Sequence, residues 1–191
     1  MSAPEMISMG CRLNIAESEK LRQNLASENF GGENLIIVNS CAVTNEAVRQ
    51  TRQAIRRAKK DHPEKNIIVT GCAAQVDPAM FAAMPETSAV VGNFDKYDPA
   101  NFKLGVHSNR PDIRVSDIMR VTETAPHMVS AFADRSRAFV EIQNGCDHRC
   151  TFCIIPFGRG NSRSVPAGLV IDQGQALVDQ GFREVVLTGV D

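Results

Sequence analysis

The chain has 191 residues, 43% of them hydrophobic and 23% charged, with a formal net charge of −1. That length suits one large or two small globular domains, and the near-zero charge excludes a whole-chain argument for nucleic acid or a membrane, so any polyanion site must be a local patch. No apolar run is long enough to span a bilayer, and Met1 to Met9 lacks a basic region followed by an apolar one; the six cysteines are therefore expected in a reducing cytoplasm, where metal ligation or catalysis is favoured over disulfides.

Glu5 to Met9 reads as a short strand ending at Gly10-Cys11. Asn14 with Glu17 three residues on has the form of a capping box, predicting a helix that carries Leu21 and Leu25 to about Asn29, where Gly31-Gly32 breaks it. Leu35 to Val38 is almost wholly apolar, the pattern of a strand buried on both faces, and it ends at Asn39-Ser40-Cys41. Thr44 or Asn45 caps a helix running to about Asp61, stopped by His62-Pro63. Ile67 to Thr70 is a third strand ending at Gly71-Cys72, Asp77-Pro78 starts a further helix, and Ala89 to Gly92 is a fourth strand candidate. The alternation predicts an α/β fold over residues 1–102: an open parallel sheet with right-handed crossovers and flanking helices, Rossmann- or flavodoxin-like. Cys11, Cys41 and Cys72 then share one address, just beyond the C-terminal ends of successive strands, where open α/β sheets bind ligands. Small residues lining helix-sheet contacts would account for the same placement.

The second helix carries Arg49, Arg52, Arg56 and Lys60 on one face, opposite Val48, Ile55 and Ala58. Either the face is simply solvated, or it meets a phosphate backbone, because like charges repel unless something anionic arrives. Residues 103–137 lose periodicity and read as a connector, with Val115 to Val121 docking as an extended strand. Ala138 to Gln143 alternates apolar and polar side chains, predicting a strand that leads into Cys146, Cys150 and Cys153. That spacing wraps three thiolates around a compact centre and supplies no fourth cysteine, so an iron-sulfur cluster held there would keep one open iron. A zinc knuckle with His148 as fourth ligand, or a loop of core cysteines, are the alternatives. Arg159 and Arg163 follow among Gly158, Gly160 and Ser162, a flexible basic segment suited to carboxylate or phosphate pairing. Pro166 opens a helix that Gly181 closes, and Glu184 to Leu187 is the next strand. Residues 138–191 thus form one βαβ unit, the start of an incomplete barrel-like domain, so the sequence is expected to be an N-terminal fragment.

The motifs G-C-R-L-N from Gly10, N-S-C-A-V-T from Asn39, G-C-A-A-Q from Gly71, G-C-D-H-R-C-T-F-C-I-I-P from Gly145 and the closing L-T-G-V-D together resemble the radical-SAM methylthiotransferase family over nearly the whole chain. The resemblance implies two [4Fe-4S] clusters. Cys146, Cys150 and Cys153 would hold the one that binds and cleaves S-adenosylmethionine to a 5'-deoxyadenosyl radical. Cys11, Cys41 and Cys72 would hold an auxiliary cluster that supplies or carries the inserted sulfur. Gly189 and Asp191 match a segment near the S-adenosylmethionine amino group. The N-S-C-A-V-T form with F-G-R-G-N-S-R-S from Phe157 looks most like the branch acting at C2 of N6-threonylcarbamoyladenosine-37 in the tRNA anticodon loop; isopentenyladenosine-37 of tRNA and an aspartate of a ribosomal protein are the other family substrates. An electron donor is implied, and the fragment alone is expected to be inactive. A zinc-stabilised RNA-binding scaffold without catalysis is the reading from a different class.

Overall fold

The computed structural model describes residues 3–27, 34–103, 111–123 and 137–190; the expected helix break at Gly31-Gly32 and the position of Asp191 lie outside them. The first unit is a five-stranded, all-parallel sheet in the order β1 (Glu5–Ser8), β2 (Leu35–Ser40), β3 (Asn66–Gly71), β4 (Ala89–Val91), β5 (Asp112–Arg114). Every residue of β2 is buried: Leu35 to Val38 as the apolar run requires, and Asn39 and Ser40 with their side chains hydrogen-bonded. Alternate positions along each strand face two different cores. Ile36, Val38, Ile67 and Val69 pack under α2 (Asn45–Asp61) and α4 (Pro78–Ala82) through Ile55, Ala58 and Phe81. Ile37, Ile68 and Val91 pack under α1 (Arg12–Ser27) through Leu21 and Leu25.

Helices α1 and α2 therefore cover opposite faces while β1, β2 and β3 run in sequence order, so their two crossovers have opposite hands and not the uniform right-handedness expected. The cause lies in α1. Its Ile15 and Ala16 pack against Ala138, Phe139 and Val140 of β6 (Arg137–Asn144) and against Leu177 of α6 (Ala167–Asp179), so one helix is shared by two sheets. The second sheet has the order β7 (Arg163–Ser164), β6, β8 (Glu184–Gly189), with β8 parallel to β6 and β7 antiparallel to it. Burial by α1 also overrides the expected alternation of β6, where Ala138 through Glu141 are all buried.

Thr44 caps α2 by accepting from the Ala47 amide at 3.0 Å, and Asp77 caps α4 by accepting from Met80 N at 3.0 Å, as their side chains predict. Three local expectations shift. The docked strand of the 103–137 segment is β5, paired with β4, while Ile118–Arg120 forms a single 3-10 turn, not the extended strand expected over Val115 to Val121. Two short helices, α3 (Cys72–Val76) and α5 (Ile155–Arg159), carry no helical periodicity because each is only five residues long. Asn14 and Glu17 lie within α1 and cap nothing; α1 starts two residues before Asn14. No helix among the described residues is long and apolar enough to cross a membrane.

Candidate metal centre

Cys11, Cys41 and Cys72 follow β1, β2 and β3 at the C-terminal edge of the first sheet, and Cys146 follows β6 at the same end of the second. The turns that carry the first three are tied to one another by neighbouring residues. Gly10 has φ +91°, and a Cβ there would lie 2.5 Å from Cys41 Cβ and 2.6 Å from its Sγ, so the Cys11 turn closes directly onto Cys41. Asn14 ties the same two turns with its amide, donating to Met9 O at 2.8 Å and Ser40 O at 2.9 Å. Asn39 donates to Asn14 O at 3.1 Å and to Ser18 Oγ at 3.0 Å, and Ser40 Oγ accepts from the Ala74 amide at 3.1 Å, fixing α3 behind Cys72. The motif residues around each cysteine thus act on the loops, satisfying backbone groups that burial would otherwise leave unpaired.

The second triad sits on a similar frame. Gly145 has φ +76°, and a Cβ there would overlap Asn161 O; the Cys146 amide donates to Gly160 O at 3.1 Å. Arg149 donates to Cys146 O at 2.8 Å and to Asn161 Oδ1 at 2.6 Å, while Asp147 accepts from the Ser162 amide at 2.9 Å. Residues 157–164, expected as a flexible basic segment, are instead the wall against which the cysteine loop is built. Cys146 is buried, Cys153 half-buried and Cys150 exposed. His148 is exposed.

Arg159 is the largest departure from the sequence-based expectation. It is 3% exposed, and its guanidinium is already committed: to Glu17 at 2.8 and 3.3 Å, to Asn14 Oδ1 at 2.6 Å and to Asn144 Oδ1 at 3.0 Å. Glu17 also pairs with the fully buried Lys96 at 2.8 Å. Burial alone would raise the Glu17 carboxyl, but the Arg159 and Lys96 charges and hydrogen bonds outweigh it and hold the group at about 2. Burial and the Glu17 charge push Glu141, which accepts from Asn144 at 2.9 Å, up to about 7. Arg163 is half-buried and donates to Asn161 O and Arg159 O, both at 2.8 Å.

Helix α5, which follows the second triad in sequence, packs against Cys72 of the first. A Cβ on its Gly158 would stand 3.1 Å from Cys72 Cβ, and Asn93 bridges the pair, donating to Gly158 O at 2.7 Å with Cys72 Sγ at 3.7 Å. Burial raises the Cys72 thiol, although the Arg159 charge pulls it down. Between α3, the Ile118–Arg120 turn and the residues after Cys153 lies a cleft of about 440 Å³, walled by Val76, Ile118, Ile154 and Phe157.

Gly189 lies opposite Gln143 at the same edge, with its absent Cβ 2.7 Å from Gln143 Cβ, which lets β8 close on the strand that feeds Cys146. The basic stripe is elsewhere: α2 starts at the cysteine edge and runs away from it, so Arg49 is nearest and Lys60 farthest. Arg49 is also paired with Glu46 at 2.6 Å, a partner that the helical spacing of the four cations does not reveal. Among the described residues, no three His, Cys, Asp or Glu side chains are grouped as ligands of a single ion. The fit to iron-sulfur clusters rests on the donor set, two triads of thiols without disulfides, and on the glycines that clear the turn beside Cys41 and the approach to Cys72.

Residues 5–92 match the family model described as "Uncharacterized protein family UPF0004", and residues 140–191 match the Radical SAM superfamily. The chain is 52% identical over 187 residues to the threonylcarbamoyladenosine tRNA methylthiotransferase MtaB of Rickettsia prowazekii, covering 98% of this chain and 43% of that protein. It is 39% identical over 190 residues to the MtaB of Bacillus subtilis, covering 96% and 42%. It is 29% identical over 191 residues to the ribosomal protein uS12 methylthiotransferase RimO of Haemophilus ducreyi, covering 97% and 41%. The chain thus spans about two fifths of the length of these curated relatives.

Proposed function

We propose, from the radical-SAM methylthiotransferase family to which this chain belongs, that the whole protein adds a methylthio group at C2 of N6-threonylcarbamoyladenosine-37 in tRNA, in the cytoplasm and with an electron donor. The family carries a four-iron cluster with S-adenosylmethionine, and in this chain Cys146, Cys150 and Cys153 would hold it, leaving one iron for the cofactor. Cys11, Cys41 and Cys72 would hold a second cluster. When bound, the cofactor and its cluster supply a carbon-centred radical, which reaches a C–H bond that polar chemistry cannot activate.

The chain's own residues do four things in this reading. Gly145, Arg149 and the 160–162 wall fix the direction in which the second triad opens. Gly158 and Asn93 hold Cys72 against α5, so a cluster on the first triad would lie next to the helix that follows the second. The open cleft beside Cys153, lined by Gln75, Val76, Asp117, Ile118, Ile154 and Phe157, has room for a nucleobase. Phosphate contacts along Arg52, Arg56 and Lys60 would position the tRNA without specifying it.

The observation that supports the proposal is the packing of α5, the helix after the second cysteine triad, against Cys72 of the first. Two measurements test it. Anaerobic reconstitution of the full-length protein should give iron and acid-labile sulfide that fall by about half when Cys11, Cys41 and Cys72 become Ala; zinc without sulfide rejects radical chemistry. Nucleoside mass spectrometry of tRNA from a strain lacking the gene should show loss of the methylthiolated threonylcarbamoyladenosine, and an unchanged level with an altered uS12 protein moves the substrate to the ribosome.

A further inference from the structure

Glu17, Lys20, Lys96, Glu141 and Arg159 lie buried together between the two sheets, a set of three cations and two carboxylates. Such groups are expensive to bury unless their charges balance. Here they do not. Lys96 is held by Glu17 and by Asn93 Oδ1 at 2.7 Å, and Lys20 stands 4.5 Å over the Tyr97 ring with Glu141 as its largest favourable charge. Arg159 shares Glu17 with Lys96, and the Asn14 and Asn144 side chains that it also grips are neutral amides. The groups of the first triad nearest to it are Cys11, whose Sγ lies 3.7 Å from the Asn14 Oδ1 that Arg159 grips, and Cys72, against which the neighbouring Gly158 packs; both are neutral as thiols and become anionic only as metal-bound thiolates.

We infer that Arg159 is a positioning residue for a metal cluster on the first triad, whose guanidinium, clamped by Glu17 and Asn14, supplies the counter-charge that this anionic centre lacks and sets its reduction potential. The inference rests on the proposed cluster at Cys11, Cys41 and Cys72. It also gives the buried network an orientation: Arg159 ends the helix that follows the second triad, so the charge felt by one centre is fixed by the loop that builds the other. A fixed cation favours the reduced, more negative state of a cluster, and a fixed anion disfavours it. Arg159→Met should therefore shift the potential of the first cluster negative, and Glu17→Gln should shift it positive.

The experiment uses full-length protein with Cys146, Cys150 and Cys153 changed to Ala, reconstituted anaerobically with iron and sulfide. Iron content is counted, and the midpoint potential is read by a redox titration followed by electron paramagnetic resonance. If this parent loads no iron, the cluster reading itself fails and the inference falls with it. If it loads, opposite shifts in Arg159→Met and Glu17→Gln, with Arg159→Lys close to the parent, support the inference. Unchanged potentials, or shifts of the same sign in the two variants, overturn it. Should Arg159→Met load no iron, Arg159→Lys decides: iron retained at the parental potential supports a role for the charge, and loss of iron there too assigns Arg159 to folding alone and overturns it.

Discussion

Replacing Glu17 by Gln keeps the shape of the side chain and deletes its charge, which leaves Lys96 at 0% and Arg159 at 3% exposure without their shared carboxylate. Removing one partner of a buried ion pair costs about 3–5 kcal/mol, since the remaining charge is desolvated and uncompensated. Against a typical domain stability of about 5–15 kcal/mol this is a large fraction. With a urea slope of about 2 kcal/mol per molar, the unfolding midpoint should fall by about 2 M. The chain has one tyrosine, Tyr97, and no tryptophan, and the Tyr97 hydroxyl lies 3.5 Å from Glu17 Oε1, so tyrosine fluorescence reports unfolding at the site itself. Glu46→Gln is the control, because its pair with Arg49 is solvated on both sides and should leave the midpoint within scatter. The sign with pH follows from Glu17 being held at about 2 against an ordinary 4.5. Its stabilisation is present above about pH 4.5 and is lost as pH falls toward 2, so the gap between the wild type and Glu17→Gln must narrow over that range. Equal midpoints at neutral pH, or a gap independent of pH, would refute the charge argument.

Gly145→Ala drives a Cβ into Asn161 O at φ +76°, and iron analysis of the reconstituted full-length protein should show the second triad unloaded while the first keeps its share. Glu141 titrates in the folded chain at about 7, above its ordinary 4.5, so the stability it contributes is complete below about pH 4.5 and declines as pH rises toward 7; Glu141→Gln should flatten that decline in urea midpoints. Changing Arg52, Arg56 and Lys60 together to Ala should weaken tRNA binding and reduce the slope of log affinity against log salt by about one for each phosphate no longer neutralised. An unchanged slope in a filter-binding assay returns the α2 face to plain solvation.

The sheet is legible in the sequence because β2 and β3 are short apolar runs bounded by turn residues, and the six cysteines because their order and spacing point to one chemistry. The sharing of α1 is not. Sequence periodicity describes a helix with one buried face, whereas α1 is covered by two sheets, so Asn14 and Glu17 read as a surface cap and are in fact core. One signal could expose this: Glu17 stands four residues from both Leu13 and Leu21 on the apolar stripe, a place where a carboxylate needs a buried partner. The partner is 142 residues away on a five-residue helix that no period can reveal. The connector strand falls a few residues from its expected place because β5 is three residues long and gains its order from β4, not from its own pattern.

Stability alone does not require the buried ions. An apolar set of similar volume at Glu17, Lys96 and Arg159 could hold α1, the Asp95–Tyr97 turn and α5 together about as firmly, because the hydrophobic replacement avoids the desolvation that an ion pair has to overcome. Nor does the network merely fix the angle between the two units, since Ile15, Ala16, Phe139 and Leu177 already pack across that boundary. The polar groups do something a leucine cannot. They direct hydrogen bonds at named atoms, Met9 O and Ser40 O beside the first triad and Asn144 beside the second. They also hold the Arg159 guanidinium on the Asn14 Oδ1 that lies 3.7 Å from Cys11 Sγ. Orientation and charge at the thiols are therefore the properties that distinguish this core from an ordinary one.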